Sequence, residues 1–362
     1  MQMKTLAEVI HREIVEREGI LPFRRFMELA LYCPKLGYYE AKKDRVGRQG
    51  DFFTSVSTGS LFGELLAFQF AEWLEGLKAA NKLKITEAGA HDGRLAKDIL
   101  TWFQSNRPGL FGRMDYSMIE PSVQRQEWQR ETLKDFSNVN WHPDFNSLKE
   151  INGIIFSNEL LDAFPVRRFG WDAGQKKWFE WGVMAKGESF VWEKMEVVGG
   201  DLPSSILHLP SSLLDVLPDN FTTETCAAAE TWWRTAATSL NQGKLMTADY
   251  GLIDEEFFLP SRKNGTLRAF FQHHFADDLL ANPGEQDLTA HVNFSAIQRA
   301  GEATGLKTDS FSTQAKFLTR ILEKTLQDKS FGEWTPARTR QFQTLTHPEH
   351  LGRAFQVLVQ SK

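Results

Sequence analysis

A carboxylate and a glycine-rich turn come directly after an apolar run, within residues 83–93. Glu87 ends the apolar run, and Gly89 and Gly93 flank a turn with His91 at its centre, before a segment that we expect to be helical. A strand, turn and helix of this kind lets the backbone pass closely under a nucleotide-like ligand, with N–H groups and a helix N-terminus facing it. The sequence therefore predicts a nucleotide-type cofactor site at this turn.

The acid at position 87 distinguishes between two ligands that such a turn can take. A dinucleotide places a pyrophosphate over the turn, and a buried carboxylate there would repel it. S-adenosylmethionine brings an ammonium and a sulfonium group, and a carboxylate favours both of these cations. Glu87 therefore predicts the methyl donor S-adenosylmethionine as the cofactor rather than NAD.

Two further acids extend the predicted cofactor site. Glu120 ends the expected second strand, where a carboxylate can accept hydrogen bonds from both ribose hydroxyls, and Asp144 follows the third strand, where it can meet the adenine amine. His91 stands at a position where glycine is usual; histidine tolerates a positive φ better than most residues, and we expect its ring to face the cofactor. The alternative is that Glu87 and Glu120 merely end strands in exposed loops.

A second group of polar residues follows the fourth predicted strand, at 153–157. It contains Asn158, Glu159 and Asp162, with the two acids three residues apart on one face of a turn. Two convergent carboxylates suit a guanidinium, and by holding its positive charge on one nitrogen they leave the other richer in electrons for attack on a methyl group. The alternative is a helix N-terminus, with Asn158 as its cap and the acids in the first turn.

Weaker candidates lie further along the chain. Asp249 ends a strand predicted at 243–249, and His274 and His291 lie within a long polar loop. No HExxH motif or matching carboxylate spacing accompanies these histidines, so we expect no metal site.

The composition is that of an ordinary globular protein of 362 residues, with 41% apolar and 25% charged residues. A net charge of −5 gives no global field that would attract nucleic acid or an anionic membrane. Cys33 and Cys226 lack the spacing of a disulfide framework or a zinc knuckle. We expect a cytoplasmic protein without membrane insertion, because no apolar run approaches roughly 20 residues and the N-terminal residues lack the apolar core of a signal peptide.

The order of predicted elements indicates an α/β fold with a mostly parallel sheet flanked by helices. Strands at 83–87, 115–119, 138–142 and 153–157 alternate with helices at 94–103, 122–134 and 145–150. Short aromatic strands follow Pro165 and are expected to form antiparallel hairpins at 167–171, 177–183 and 190–197. The remaining predicted elements are a helix at 222–240, a strand at 243–249, helices at 295–304, 314–327 and 337–344, and an antiparallel C-terminal edge strand at 354–359.

This order divides the chain into three parts. Residues 1–80 form a helical N-terminal cap that precedes the first sheet strand. Residues 81–165 and 241–362 form the cofactor-binding domain. Residues 166–240 form an inserted lobe of aromatic hairpins and a helix.

Several segments, taken in order, resemble the MidA-like proteins. Besides the glycine turn and residues 158–165, they are 27–32, 37–39, 50–55, 61–64, 119–122, 249–251, 265–268, 287–292 and 355–358, with Gln314, Phe317 and Leu318. The resemblance covers about residues 20–360, and it departs from the family pattern at His91, which replaces a glycine. The family includes bacterial proteins and a mitochondrial complex I assembly factor that acts as a protein arginine methyltransferase.

The resemblance implies a class I methyltransferase fold, which is Rossmann-like, binding S-adenosylmethionine. It also implies in-line methyl transfer to a protein arginine, on a respiratory-complex subunit in the mitochondrial member. The residues expected to bind the cofactor are Glu87, Gly89, His91, Gly93, Glu120 and Asp144, and those expected to act on the acceptor are Asn158, Glu159, Asp162 and Asp249. Two alternatives remain open: a non-catalytic assembly or binding protein that keeps the fold, and a methyltransferase for a small molecule.

Overall fold

The computed structural model describes residues 5–41, 54–77, 82–148, 150–197, 201–271, 274–349 and 351–362. These residues form two compact units. The first unit comprises the described residues up to 41, together with 162–230 and 251–297. The second unit comprises the described residues from 54 to 161, together with 231–250 and 298–362.

Helices and strands are numbered in chain order. The α-helices are α1 Leu6–Glu16, α2 Phe23–Tyr32, α3 Tyr38–Ala41, α4 Leu61–Glu75, α5 Arg94–Asn106, α6 Pro108–Phe111, α7 Val123–Thr132, α8 Ser204–Leu207, α9 Ser211–Leu214, α10 Ala227–Ser239, α11 Asp254–Phe257, α12 Phe294–Glu302, α13 Gln314–Thr325, α14 Pro336–Thr346 and α15 Leu351–Ala354. The strands are β1 Leu21–Pro22, β2 Leu83–Ala88, β3 Met114–Ile119, β4 Val139–His142, β5 Ile151–Asn158, β6 Arg167–Asp172, β7 Lys177–Lys186, β8 Ser189–Glu196, β9 Phe221–Thr225, β10 Leu240–Leu252, β11 Arg268–Phe271, β12 His274–Ala276, β13 Asp287–Thr289, β14 Val292–Asn293, β15 Lys307–Thr313 and β16 Phe355–Ser361.

The second unit is built on a sheet with the strand order β15-β16-β10-β5-β2-β3-β4. The strands from β10 to β4 are parallel, which confirms the predicted α/β fold and its Rossmann-like sheet. Strands β2 and β5 consist largely of buried residues, as expected where helices cover both faces of a sheet. Strand β2 lies between β3 and β5, so the strand order reverses at β2, and open α/β sheets bind ligands at such a point.

The antiparallel end of this sheet differs in one respect from the prediction. Strand β16 is antiparallel, as predicted for 354–359, but it pairs with both β10 and β15, so β15 is the outermost strand of the path. We did not predict β15. Its sequence is mostly polar and only Ser312 in it is buried, so it lacks the apolar alternation that marks a half-buried strand.

The grouping of the chain also differs from the predicted division. Helix α4 belongs to the second unit, whereas the cap predicted over residues 1–80 placed it with α1 and α2. Most residues of α4 are buried, and they share one hydrophobic core with α5 and the strands β2 and β3. A helix that is apolar on nearly all sides is stable only inside a core.

The first unit contains an antiparallel sheet with the order β1-β7-β6-β9, in which β8 pairs with β7. The predicted aromatic hairpins are thereby confirmed. The helix predicted over 222–240 is wrong in its first residues, because Phe221–Thr225 forms β9 and the helix α10 begins only at Ala227. The threonine-rich start of this segment suits a strand, since β-branched side chains pack well on a pleated sheet.

Within the described part of the chain, no helix combines the length and apolarity that crossing a bilayer requires. The described residues likewise contain no group of three or more His, Cys, Asp and Glu side chains placed to hold a metal ion. Cys33 and Cys226 are both free thiols.

Candidate functional site

The carboxyl ends of neighbouring parallel strands in the second unit bring most of the predicted site residues to one edge of the sheet. The register pairs Ala88 of β2 with Ile119 of β3 and with Ser157 of β5, and it pairs Asn158 of β5 with Ala248 of β10. Each of these strand ends is followed at once by a predicted site residue. Gly89 of the glycine turn follows Ala88, Glu120 follows Ile119, and Asp249 follows Ala248. The sheet therefore assembles a common site from segments far apart in sequence.

The glycine turn contains three residues with a left-handed backbone. The φ angles are +76° at Gly89, +46° at His91 and +84° at Gly93, so the left-handed conformation predicted for His91 is confirmed. A Cβ atom at Gly89 would lie 2.8 Å from a side-chain methyl of Leu160, so the turn packs closely against the segment that follows β5. Histidine lacks the freedom of glycine here, and its conformation costs on the order of 1 kcal/mol.

The ring of His91 lies beside Trp128, with 6.1 Å between the ring centroids, and its side chain is 23% exposed. Its Nδ1 is 3.8 Å from the carboxylate of Asp92, which also accepts a hydrogen bond from the backbone N–H of Arg94 and pairs with the Arg94 guanidinium. Burial raises the pKa of Asp92, but His91 and Arg94 outweigh it and hold that pKa below its ordinary value. That the His91 ring faces the cofactor stays a prediction.

Glu87 is buried at the end of β2, where its carboxyl group accepts a hydrogen bond of 2.6 Å from the hydroxyl of Tyr116. Burial raises the pKa of Glu87 to about 8, with a further increase from the nearby Asp92, although the Tyr116 hydroxyl acts in the opposite direction. A cation beside this carboxyl group would favour its ionised form. We did not predict Tyr116, whose only signal is a polar aromatic ring within the apolar strand β3.

Glu120 is also buried, and both of its carboxylate oxygens accept hydrogen bonds. One oxygen accepts from the backbone N–H of Ser122 and from Arg125 Nε, each at 2.9 Å, and the other accepts from Gln129 Nε2 at 3.1 Å. These contacts come from α7 and the turn before it, so the carboxylate is fixed in orientation. The exposed loop end proposed as an alternative for Glu87 and Glu120 is wrong, since both side chains are buried.

Asp144 is exposed, and its hydrogen bonds with the described residues are local. Its two carboxylate oxygens accept hydrogen bonds from the backbone N–H and the side-chain amide of Asn146, at 2.7 and 2.9 Å. It thereby caps the single 3-10 turn Phe145–Ser147, which stands where a short helix was predicted over 145–150. Its contact with the adenine amine stays a prediction.

Asn158 and Glu159 form a polar pair where β5 ends. The Asn158 Nδ2 donates to Glu159 Oε1 at 3.0 Å, and the backbone N–H of Ser55 donates to the same oxygen at 3.2 Å. Glu159 has a φ of +52°. The buried Oδ1 of Asn158 has no hydrogen-bond partner among the described residues, and an acceptor left in this state is expected to bind a ligand or water.

The segment after Asn158 is not the start of a helix. Asn158 is the last residue of β5, and the next element of the chain is the single 3-10 turn Leu161–Ala163, which is followed by β6. The alternative interpretation, in which Asn158 caps an α-helix and both acids lie in its first turn, is therefore wrong. The backbone N–H groups of Leu160 and Leu161, which a capping Asn158 side chain would have bound, are bound here by another carboxylate.

Asp249 supplies that carboxylate. It is fully buried, and one of its oxygens accepts hydrogen bonds from the backbone N–H groups of Leu160 and Leu161, at 3.1 and 2.8 Å. The other oxygen accepts from the backbone N–H of Tyr250 at 2.8 Å. These contacts make Asp249 a positioning residue for the segment that carries Asn158 and Glu159.

Asp162 belongs to the first unit and is buried there. Its backbone carbonyl accepts a hydrogen bond of 2.9 Å from the N–H of Ala290. In the same unit the Tyr39 hydroxyl donates to Asp287 at 2.8 Å, and the pKa of Tyr39 is raised by burial and also by the charges of Asp287 and Asp162. The pairing of Asp162 with Glu159 around one guanidinium stays a prediction.

The two candidate histidines also belong to the first unit and differ in their surroundings. His274 is exposed in β12. His291 has a buried Nδ1 without a hydrogen-bond partner among the described residues, and its pKa is lowered to about 4 by burial and by the charges of Arg268 and Arg262. His291 is therefore a neutral imidazole at physiological pH.

The residues of the second unit fit the groups of S-adenosylmethionine. Glu87 is a buried acid suited to a cation, the left-handed turn at Gly89 and Gly93 allows close approach of the backbone, and Glu120 presents a fixed carboxylate that can take further hydrogen bonds. Asn158 adds a buried acceptor whose partner is absent among the described residues.

Comparisons with known proteins agree with this chemistry. A solved structure from Burkholderia thailandensis, with bound S-adenosyl-homocysteine, superposes with a TM-score of 0.85 at 30% sequence identity, covering 99% of this chain and 92% of that one. The human mitochondrial protein arginine methyltransferase NDUFAF7 is 27% identical, over 94% of this chain and 80% of its own length. Its Drosophila melanogaster homologue is 24% identical, over 98% and 84% respectively.

A family model described as "Putative S-adenosyl-L-methionine-dependent methyltransferase" matches residues 65–312, which is more than half of the chain. The match includes the glycine turn, Glu120, the Asn158–Glu159 pair and Asp249. With these findings the cofactor predicted from the turn is confirmed as S-adenosylmethionine. The chain belongs to this family of S-adenosylmethionine-dependent methyltransferases.

Proposed function

We propose that this methyltransferase acts on an arginine side chain of a protein substrate. The observation that carries the proposal is the pair at the end of β5: the Asn158 amide donates to the Glu159 carboxylate, and its buried Oδ1 has no hydrogen-bond partner within the described part of the chain. An amide oxygen and a carboxylate are both acceptors, and a guanidinium offers several N–H donors in a fixed plane. The mitochondrial relatives named as protein arginine methyltransferases support the same choice of acceptor.

The chemistry divides between the cofactor and the chain. S-adenosylmethionine, when bound, supplies a methyl group that is open to in-line attack. Glu159 and Asn158 would hold the guanidinium, keep its positive charge on the nitrogens that they contact, and leave the attacking nitrogen richer in electrons. Most of the rate enhancement would come from orienting the acceptor and excluding water.

The rigidity of the pair supports this role. Glu159 Oε1 is fixed by two donors, Ser55 N and Asn158 Nδ2, and the backbone beyond it is held by the buried Asp249. Ser55 is itself buried, and its hydroxyl is 3.2 Å from Gln314 Oε1. Ser55, Asn158 and Asp249 lie in three separate parts of the chain, and their hydrogen bonds keep the site in one geometry without a ligand. Stabilisation of a transition state requires groups that are oriented in advance in this way.

The test uses the Glu159→Gln variant with methyl-labelled S-adenosylmethionine and a protein extract as the source of acceptors. We expect the variant to lose roughly 10- to 100-fold in label incorporation, because it loses a charge-assisted contact with a cationic acceptor. Its affinity for S-adenosylhomocysteine should stay within about twofold of the wild type, since charge at this position acts on the acceptor. The exposed Glu127, changed to Gln, is the matched control.

Three outcomes would contradict the proposal. Incorporation of the methyl label by Glu159→Gln at the wild-type level would show that this carboxylate does not act on the acceptor. Incorporation of the label only into small molecules would show that the substrate is a metabolite and not a protein. Binding of S-adenosylhomocysteine without any transfer, in extracts from several growth conditions, would support a binding or assembly protein that keeps the fold.

A further inference from the structure

The side chain of Gln129, on α7, is completely buried in the second unit. Its Nε2 donates to the backbone carbonyl of His91 at 3.0 Å and to Glu120 Oε2 at 3.1 Å, and its Oε1 accepts from Trp141 Nε1 at 3.0 Å. One side chain therefore joins the glycine turn, the acid after β3 and a residue of β4. None of these contacts was predicted, because Gln129 is one of three glutamines in a polar helix and has no sequence signal of its own.

These three bonds fix the orientation of the amide. A primary amide has two N–H donors, and both are used here on oxygen acceptors. Rotating the amide by 180° would place its oxygen against the His91 carbonyl and the Glu120 carboxylate, and its NH₂ group against the Trp141 N–H. That arrangement would lose all three bonds and replace them with repulsive contacts, so only one orientation is stable.

The contacts also fix two of the groups that Gln129 joins, the Glu120 carboxylate and the glycine turn. Glu120 Oε1 is already held by Ser122 and Arg125, and Gln129 holds its second oxygen, so the carboxylate cannot rotate. Gln129 also donates to the backbone carbonyl of His91, whose left-handed backbone conformation is unfavourable for a residue with a side chain. Side chains that do not touch a ligand commonly orient, through hydrogen bonds, the groups that do.

We propose that Gln129 is a positioning residue for the cofactor, and that it sets the Glu120 carboxylate in the orientation that receives the ribose hydroxyls of S-adenosylmethionine. The inference rests on the proposed function only in taking S-adenosylmethionine as the cofactor and Glu120 as its ribose ligand. It is independent of the nature of the methyl acceptor.

The test compares S-adenosylhomocysteine with its 2′-deoxy analogue, by calorimetry, on wild type and on Gln129→Met. Methionine is close to glutamine in length but offers no N–H donor. We expect the wild type to bind S-adenosylhomocysteine about tenfold or more tightly than the analogue, and Gln129→Met to discriminate less than about threefold, since a loose carboxylate binds the hydroxyl poorly. Gln124→Met, the same change at an exposed position of α7, should keep the wild-type ratio.

The ratio of the two affinities separates positioning from stability. A lower melting temperature with an unchanged ratio would make Gln129 a structural residue only and would overturn the inference. A wild-type ratio near one would also overturn it, because there would be no ribose recognition to orient. If Gln129→Met does not fold, Gln129→Asn, whose amide is one methylene shorter and cannot bond Glu120, the His91 carbonyl and Trp141 together, should show the same loss of discrimination. Failure of wild type to bind S-adenosylhomocysteine would instead contradict the cofactor assignment on which the proposed function depends.

Discussion

Glu87 should make cofactor binding depend on pH. Its side chain is 2% exposed, and burial raises its pKa to about 8, so the carboxyl group is largely protonated at pH 7 in the ligand-free protein. A cation beside it, such as the ammonium group that S-adenosylhomocysteine shares with S-adenosylmethionine, favours the ionised form, and ionisation costs about 1.4 kcal/mol for each pH unit below the pKa. Binding of S-adenosylhomocysteine should therefore release a proton, and its affinity should rise by about tenfold from pH 6 to 7, by about fivefold from pH 7 to 8, and then level off.

Rising pH should strengthen ligand binding through Glu87, but through the same group it should lower the stability of the ligand-free protein. Glutamate in the unfolded chain loses its proton near its ordinary pKa of 4.5, whereas folded Glu87 keeps it up to about pH 8. Between these values the folded state binds more protons than the unfolded state, so the contribution of Glu87 to the free energy of unfolding falls as the pH rises. The stabilising contribution is therefore complete below pH 4.5 and lost by about pH 8.

The assay is calorimetry at pH 6, 7 and 8 in two buffers with different ionisation enthalpies, on wild type, Glu87→Gln and the control Glu127→Gln. Proton release and the rise in affinity should disappear in Glu87→Gln and persist in the control. Any titration of the ligand itself is common to all three proteins, so only the difference between them is interpreted. A wild-type affinity independent of pH, or a pH dependence unchanged in Glu87→Gln, would refute the reasoning.

Three further predictions concern residues of the same sheet edge. His91→Gly should keep or improve the affinity for S-adenosylhomocysteine, because glycine removes a backbone cost of about 1 kcal/mol, and a large loss in the same titration would show that the imidazole contributes to binding. Glu120→Gln should weaken that affinity by about 1–3 kcal/mol, and an unchanged dissociation constant would exclude Glu120 as the ribose ligand. Asp249→Asn should lower the free energy of unfolding by about 2 kcal/mol or more, because an amide cannot accept all the backbone N–H bonds that the carboxylate accepts; an unchanged denaturation midpoint would contradict its positioning role.

The parallel core of the fold was predictable from the sequence. The strands β2, β3 and β5 are short apolar runs bounded by turn residues, and a run of this kind has few alternatives to a strand buried on both faces. The glycine turn was recognisable because a left-handed backbone restricts which residues can stand there. Glu87 and Glu120 were found because acids that end apolar strands are rare enough to be informative.

The elements that were missed depend on distant partners. Strand β15 is held by its pairing with β16 and has too few buried residues to reveal a strand pattern. The sequence of β9 resembles the start of a helix, since its pairing with β6 is not visible locally. Within the site, Ser55 contacts a side chain 259 positions away along the chain. Contacts of this kind follow from the folded topology and not from local residue types.

The proposal that the methyl acceptor is an arginine is tested most directly by identifying the amino acid that becomes methylated. The protein is incubated with methyl-labelled S-adenosylmethionine and a protein extract, and the labelled protein is hydrolysed to amino acids and separated, with Glu159→Gln treated in parallel. We predict that the label is recovered as methylarginine with wild type and is strongly reduced with Glu159→Gln. Recovery of the label in another amino acid, or in equal amount with both proteins, would contradict the account.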